Sequence, residues 1–212
     1  SLRLLRAVKN RYGPADEVAC FEQTDAGMRE VPDPSVLFRG DRESPIPGTA
    51  VTVTIEGRRA LIAEVQALVA PTTNPNPRRG VSGLDSSRVA MLVAVTERVA
   101  GLRMFDKDLF VATIGGMRLT DPSSDLAVCL AIASAGQDTP VPLHLAAIGE
   151  VTLAGEIRPT PMASQRIAEA ARLGYRRILA PAGTREALDT RLASVTVVEV
   201  RTLRSAYAAL TG

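Results

Sequence analysis

Tryptophan is absent from this 212-residue chain, and phenylalanine and tyrosine together number only seven. With aromatics at 3% and apolar residues at 46%, the interior has to be built from Val, Leu, Ile and Ala. The shortage of rings also argues against binding single-stranded nucleic acid by base stacking, and favours contact with its backbone. One histidine, His144, and two cysteines, Cys20 and Cys129, are present. They form no CxxC or HxxxH spacing, which argues against a structural zinc site. Two distant cysteines make no disulfide framework either, as suits a reducing cytoplasm. The only lysines are Lys9 and Lys107. A P-loop needs a lysine between Gly and Ser/Thr, but Lys9 follows Val8 and Lys107 follows Asp106. The chain by itself is therefore not expected to be a P-loop ATPase. No apolar run approaches the roughly 18 residues of a membrane helix. The opening SLRLLR threads arginines through its apolar residues and leads to no cleavage-like site, so no signal peptide is expected. The chain does not start with Met, and a longer parent protein is expected.

What is present is arginine. The two lysines leave 23 arginines among the 25 basic residues, for a net charge of +2. A genomic compositional bias explains this, and so does a preference for phosphate contacts and intersubunit ion pairs; both readings stay open.

The length fits one large domain or two small ones. Residues 1–13 are basic and end at Gly13-Pro14, with helix and strand equally compatible. Glu17–Glu22 and Met28–Val31 read as strands around a turn. Asp33-Pro34 reads as the start of a short helix carrying Val36, Leu37 and Phe38. Val51, Val53 and Ile55 alternate with Thr52, Thr54 and Glu56, which predicts a strand with one wet face. Arg59–Val69 returns as a long strand, and Pro71–Gly83 reads as an extended loop. Asp85 caps a helix to Ala100 whose stretch Val89–Val95 should be deeply packed. A strand follows over Leu109–Ile114, and Asp121-Pro122 caps a second helix to about Ala135. Leu143–Leu153 reads as one strand, Ser164–Leu173 as a helix, Arg177–Ala180 as a strand, Thr184–Leu192 as a helix and Val195–Val200 as a strand. Leu203, Ala206, Tyr207 and Leu210 form the apolar face of a last helix. Hairpins give way to alternating strands and helices, so the fold class is α/β or α+β with a mixed sheet and packed helices.

Lys9, Asn10, Arg11, Tyr12 and Gly13 end the basic lead-in. On a strand Lys9 and Arg11 share a face and can grip one phosphate from two sides; a solvated basic terminus is the plainer alternative. LRAVKNRYG resembles the KNRFG motif of the bacterial DNA-repair family RadA, also called Sms, with Tyr12 in place of Phe. The resemblance continues through FEQTDAGMREVPDPSVLF, PGTAVTVTIEGRRALIAEVQALV, PRRGVSGLDSSRVAMLVAV and GEVTLAGEIRP. It implies a C-terminal portion of such a protein. Residues 1–15 would close a RecA-like ATPase region, and residues 16–212 would form a Lon protease-like domain of the ribosomal protein S5 domain 2-like type. It also implies a cytoplasmic, ring-forming, ATP-driven helicase that extends branches during homologous recombination. The expected partners are further copies in a homohexamer, single-stranded and branched DNA, and the RecA recombinase, with no membrane. ATP, Mg2+ and zinc would belong to N-terminal parts beyond this chain. Lys9 to Gly13 would couple nucleotide to DNA movement.

The resemblance raises the question of proteolysis, since Lon enzymes pair a serine with a lysine base. TDPSSD matches the segment of the Lon serine and places Ser123 there. GEVTLAGEIRPTPMASQRIAEAARLGY matches the lysine segment and places Ser164 at the lysine. A serine hydroxyl cannot be that base, so an inactive protease scaffold used for assembly or binding is expected. An active Ser-type peptidase and a pure oligomerisation module are the alternatives. Ser123 also fits plain helix capping, and His144 reads as a packed residue of an apolar strand. Arg78 and Arg79 in the Pro/Gly-rich loop, with Arg88 one turn into the next helix, are the DNA-binding candidates; a solubilising loop is the other reading.

Overall fold

The structure is a computed structural model, and it describes residues 2–6, 11, 18–25, 27–31, 43–188, 192 and 195–211. Three strands, β1 (Leu2–Arg6), β2 (Val18–Thr24) and β3 (Gly27–Glu30), form an antiparallel sheet of their own. Leu2 pairs with Glu22 and Arg6 with Val18. This sheet therefore straddles the boundary expected at residue 15. The helix expected at Asp33-Pro34 lies outside the described residues.

The main sheet has seven strands: β4 (Thr49–Glu56), β5 (Arg59–Pro71), β6 (Arg79–Ser82), β7 (Lys107–Thr113), β8 (Leu145–Ala147), β11 (Arg177–Pro181) and β12 (Thr196–Val200). Their order is β12-β11-β8-β4-β5-β7-β6. The β4–β5–β7 run is antiparallel, and β6, β8, β11 and β12 join parallel to their neighbours. Two further strands, β9 (Glu150–Val151) and β10 (Ile157–Arg158), pair only with each other.

Helices α1 (Ser86–Ala100), α2 (Asp125–Gln137) and α4 (Leu203–Thr211) cover one face. There Leu92, Leu130 and Leu203 pack with Leu61, Val65, Leu109 and Val111. Helix α3 (Ala163–Arg172) covers part of the other, where Ile167 and Ala170 meet Val51, Val53, Ile62 and Ile178. α2 is apolar all round, as a central helix must be: every residue from Asp125 to Ser134 is buried. α1 is packed on one side only. Val89, Leu92, Val93 and Val95 are buried, while Ala90, Met91 and Ala94 face outward.

The exposed Ala90, Met91 and Ala94 correct the expectation that Val89–Val95 is deeply packed, and the structure corrects four further expectations of the fold. β4 has no wet face: Thr52 and Thr54 are buried beneath α2 and its leading turn, because β4 is central and covered on both sides. The loop Pro71–Gly83 contains β6, a four-residue edge strand too short to show alternation. Leu143–Leu153 is not one strand; β8 ends at Ala147 and β9 joins another sheet. The helix expected over Thr184–Leu192 is broken: the 3-10 turn Arg185–Ala187 ends at Leu188, which is extended.

Candidate functional site

The segment Thr120–Asp125 is built by a cap. Asp121 Oδ1 accepts the Ser123 backbone N–H at 2.9 Å, and Pro122 supplies the fixed backbone angle that starts the 3-10 turn Pro122–Ser124. Ser124 Oγ donates to the Asp121 carbonyl at 2.7 Å. Gly149 N donates to Ser123 O and Leu126 N to Gly149 O, which stitches the turn to the β8–β9 junction.

Ser123 itself is only 3% exposed. Beside it opens a cleft of about 180 Å³. Pro122, Ser124, Arg88 and Asp125 line this cleft; Ser123 does not.

Behind Asp121 lies a buried arginine that no local sequence pattern marks. Arg166, on α3, is 2% exposed. Its Nη2 lies 2.6 Å from Asp121 Oδ2, its Nε donates to Pro161 O at 2.9 Å and its Nη1 to Val53 O at 2.6 Å. The carbonyl of Val53 is available because β8 pairs with β4 only at Val51. Beyond that point the sheet splits, and the guanidinium fills the gap. Burial pushes the Asp121 carboxyl upward, but the Ser123 N–H, the Arg166 charge and the Ser123 hydroxyl outweigh it and hold the carboxyl below its ordinary range. A carboxyl so held is a weak base toward a serine hydroxyl. Ser164 stands in the first turn of α3, half-buried.

The three arginines expected to touch DNA do not converge. Arg88 donates Nε to Asp125 Oδ1 at 3.1 Å and Nη2 to Asp125 Oδ2, and Nη2 also reaches Val151 O at 3.2 Å. It ties α1 to α2 and β9. Arg78 and Arg79 sit together at the start of β6. Arg78 grips Asp108 through Nε and Nη2, at 3.0 and 2.9 Å, and its guanidinium lies 5.9 Å from the Phe110 ring centroid. The Arg78 backbone N–H and guanidinium hold the Asp108 carboxyl below its usual range. Arg79 donates to the carbonyls of Arg78, Lys107 and Met104.

Of the lead-in, Arg11 is exposed in a bend, while Lys9, Asn10, Tyr12 and Gly13 lie outside the described residues. His144 is a correction: it is exposed in the turn before β8, not packed in a strand, and only its carbonyl is used, by Arg176 and Arg177 N–H. Among the described residues no group of three or more His, Cys, Asp or Glu is placed to hold a metal. No helix among them is long and apolar enough to cross a membrane.

The turn that holds Ser123 and the helix that bears Ser164 both lie in a stretch with the sequence of a Lon-type domain. Residues 102–200 match the Lon protease (S16) C-terminal proteolytic domain. Over 187 residues the chain is 53% identical to the DNA repair protein RadA of Mycolicibacterium smegmatis, covering 88% of this chain and 40% of that protein. It is 46% identical over 180 residues to that of Escherichia coli, covering 85% and 39%, and 42% identical over 209 residues to that of Pseudomonas aeruginosa, covering 99% and 46%. These identities make the chain a C-terminal portion of a RadA-type DNA repair protein. It spans about two fifths of the length of the curated relatives it matches.

Proposed function

We propose that this chain is a non-proteolytic Lon-type module that serves ring assembly and DNA contact in a parent DNA repair protein. The observation that carries the reading is the state of Ser123: buried, absent from the lining of the neighbouring cleft, and beside a carboxylate already engaged by the Ser123 backbone N–H and by Arg166. A nucleophile needs a base in reach and a face toward its substrate, and serine stands at position 164. A protease fold kept without that chemistry supports a scaffolding role.

In the parent, the reading extends to an ATP-driven helicase that migrates branches in a hexameric ring with RecA. Lys9 to Gly13 would couple nucleotide to DNA, and Arg78 and Arg79 would face DNA phosphates. Arg88 is better placed as a strut within the domain. ATP, Mg2+ and zinc would act in other parts of the parent. Residues 1–15 would belong with its ATPase region.

Two measurements test this. The chain and its Ser123→Ala variant are incubated with casein and fluorogenic peptides; equal background cleavage is expected. Cleavage that Ser123→Ala abolishes overturns the non-proteolytic reading. Light scattering followed by a salt series with single-stranded and duplex DNA tests the rest. A ring that binds with a steep salt slope is expected; a monomer without affinity contradicts both assembly and DNA contact by this module.

A further inference from the structure

The part of the main sheet that α3 leaves uncovered carries exposed apolar side chains. Leu68 is 60% and Phe110 38% exposed, and with Ile46 of the segment before β4, 48% exposed, they line a shallow depression of about 370 Å³. The Phe110 ring occupies the space that a Cβ on Gly80 would need, since such an atom would lie 2.5 Å from ring Cδ1. Arg78, with its side chain 71% exposed, is the cation beside that ring. Directly before β7 runs the loop Gly101–Asp106, whose Phe105 is 74% exposed. Arg79 holds this loop through the Met104 and Lys107 carbonyls, Glu97 Oε1 accepts Met104 N, and Thr72 N donates to Asp106 O. The loop is thereby fixed beside the start of β6, where Arg78 stands. Arg103 is exposed on it and Lys107 half-buried at its end.

Arg78, Arg79, Arg103 and Lys107 thus gather at this corner against Asp106, Asp108 and Glu97, with Asp108 already paired to Arg78. Interface cores between proteins are depleted in charge. Rings interleaved with arginines instead match the alternation of bases and phosphates in a single strand.

We propose that this corner is a base-stacking site for single-stranded nucleic acid. Phe105 takes one base, the Arg78–Phe110 pair takes another, and Arg103 and Lys107 meet the intervening phosphates. The site rests on the DNA-contact reading above, and it reverses the sequence-based expectation that stacking plays no part.

The absence of tryptophan supplies the probe, because Phe105→Trp gives the chain a single indole. The 212-residue chain and its variants are titrated with oligothymidylate and with an abasic strand of equal length. The expected result is indole quenching by oligothymidylate and not by the abasic strand. Phe105→Ala, an exposed position that leaves the fold intact, is expected to weaken oligothymidylate binding about 5- to 150-fold and to leave abasic-strand binding unchanged. If both strands bind the parent chain equally and Phe105→Ala changes nothing, the stacking site is wrong while DNA contact through phosphates stands. If neither strand binds, both readings fall. If Phe105→Ala alters the sedimenting mass and not the affinity, the corner is an interface between copies and the proposal is overturned.

Discussion

Arg166 joins three elements with one side chain, and each contact meets a need that burial creates. The Val53 carbonyl lies past the β4–β8 pairing, the Pro161 carbonyl sits just ahead of α3, and Asp121 caps the serine turn. Removing one partner of a buried ion pair leaves the other charge uncompensated, at a cost of about 3–5 kcal/mol. Arg166→Met is therefore expected to lower the urea unfolding free energy by that amount; a loss below 1 kcal/mol, on the scale of about 0–1 kcal/mol for surface pairs, contradicts the keystone role. The pH dependence follows from Asp121. Its folded-state pKa lies below the unfolded value of about 3.9, so the native state binds fewer protons. The stabilisation is complete above the unfolded pKa and is lost as pH falls through the folded one. Asp125 has the opposite sign: burial raises its pKa despite Arg88 and the Val151 N–H, so its ionised form costs stability. Comparing the parent with Asp121→Asn removes that common term, and the gap between their urea midpoints is expected to close as pH falls from 6 toward 3, a range bracketing the carboxylate pKa of about 3.9. The cap was legible in Asp121-Pro122-Ser123. Arg166 was not, because an arginine on an amphipathic helix reads as a surface residue, and its partners at Val53 and Asp121 are far away in sequence.

Helix ends follow local chemistry, and there sequence and structure agree closely. Asp85 adopts extended backbone angles and its carboxylate accepts Arg88 N at 2.7 Å, while Gly101 closes α1 in the left-handed region at φ +68. Gly83, two residues earlier, is held at φ +77, where a Cβ would meet Thr113 Oγ1 at 2.0 Å. The cap thus has a rigid approach. Asp85→Ala is expected to cost about 1 kcal/mol and Asp85→Ser much less, measured as a shift of thermal midpoint; equal losses in the two variants would assign the effect to something other than the cap. The last helix was legible for the same reason: Leu203 and Ala206 are fully buried, with Tyr207 and Leu210 partly so. Strands were less legible. Alternation in β4 reports residue type and not exposure, since Thr52 and Thr54 lie beneath α2 and its leading turn. The break after Ala147 depends on β8 leaving β4, which no local pattern announces.

Across the whole molecule the chain makes separate sheets with differently treated edges. β12, at one edge of the main sheet, has its Val197 carbonyl covered by the Arg185 guanidinium; β6, at the other, is kept to four residues. Among the described residues the strands β1–β3 pair only with one another, and Leu5 and Met28 are about two thirds exposed, at 64% and 66%. On its other face Cys20 is covered, at 1% exposed, and burial raises its thiol pKa although Arg59 pulls it down. Cys129 lies at the centre of α2 with its thiol pushed up to about 12. Both thiols are inert while covered, because the thiolate is the reactive form, so each reports the opening of its own sheet or helix. A three-stranded sheet with two edges has fewer cooperative contacts than the main core and should open at lower free energy. Labelling with a chromogenic disulfide in increasing urea is therefore expected to show two steps. Cys20 reacts first and Cys129 only at the global transition, and a Cys129→Ala variant keeps the first step alone. Coincident labelling of both thiols would instead make the β1–β3 sheet part of one cooperative unit with the main sheet.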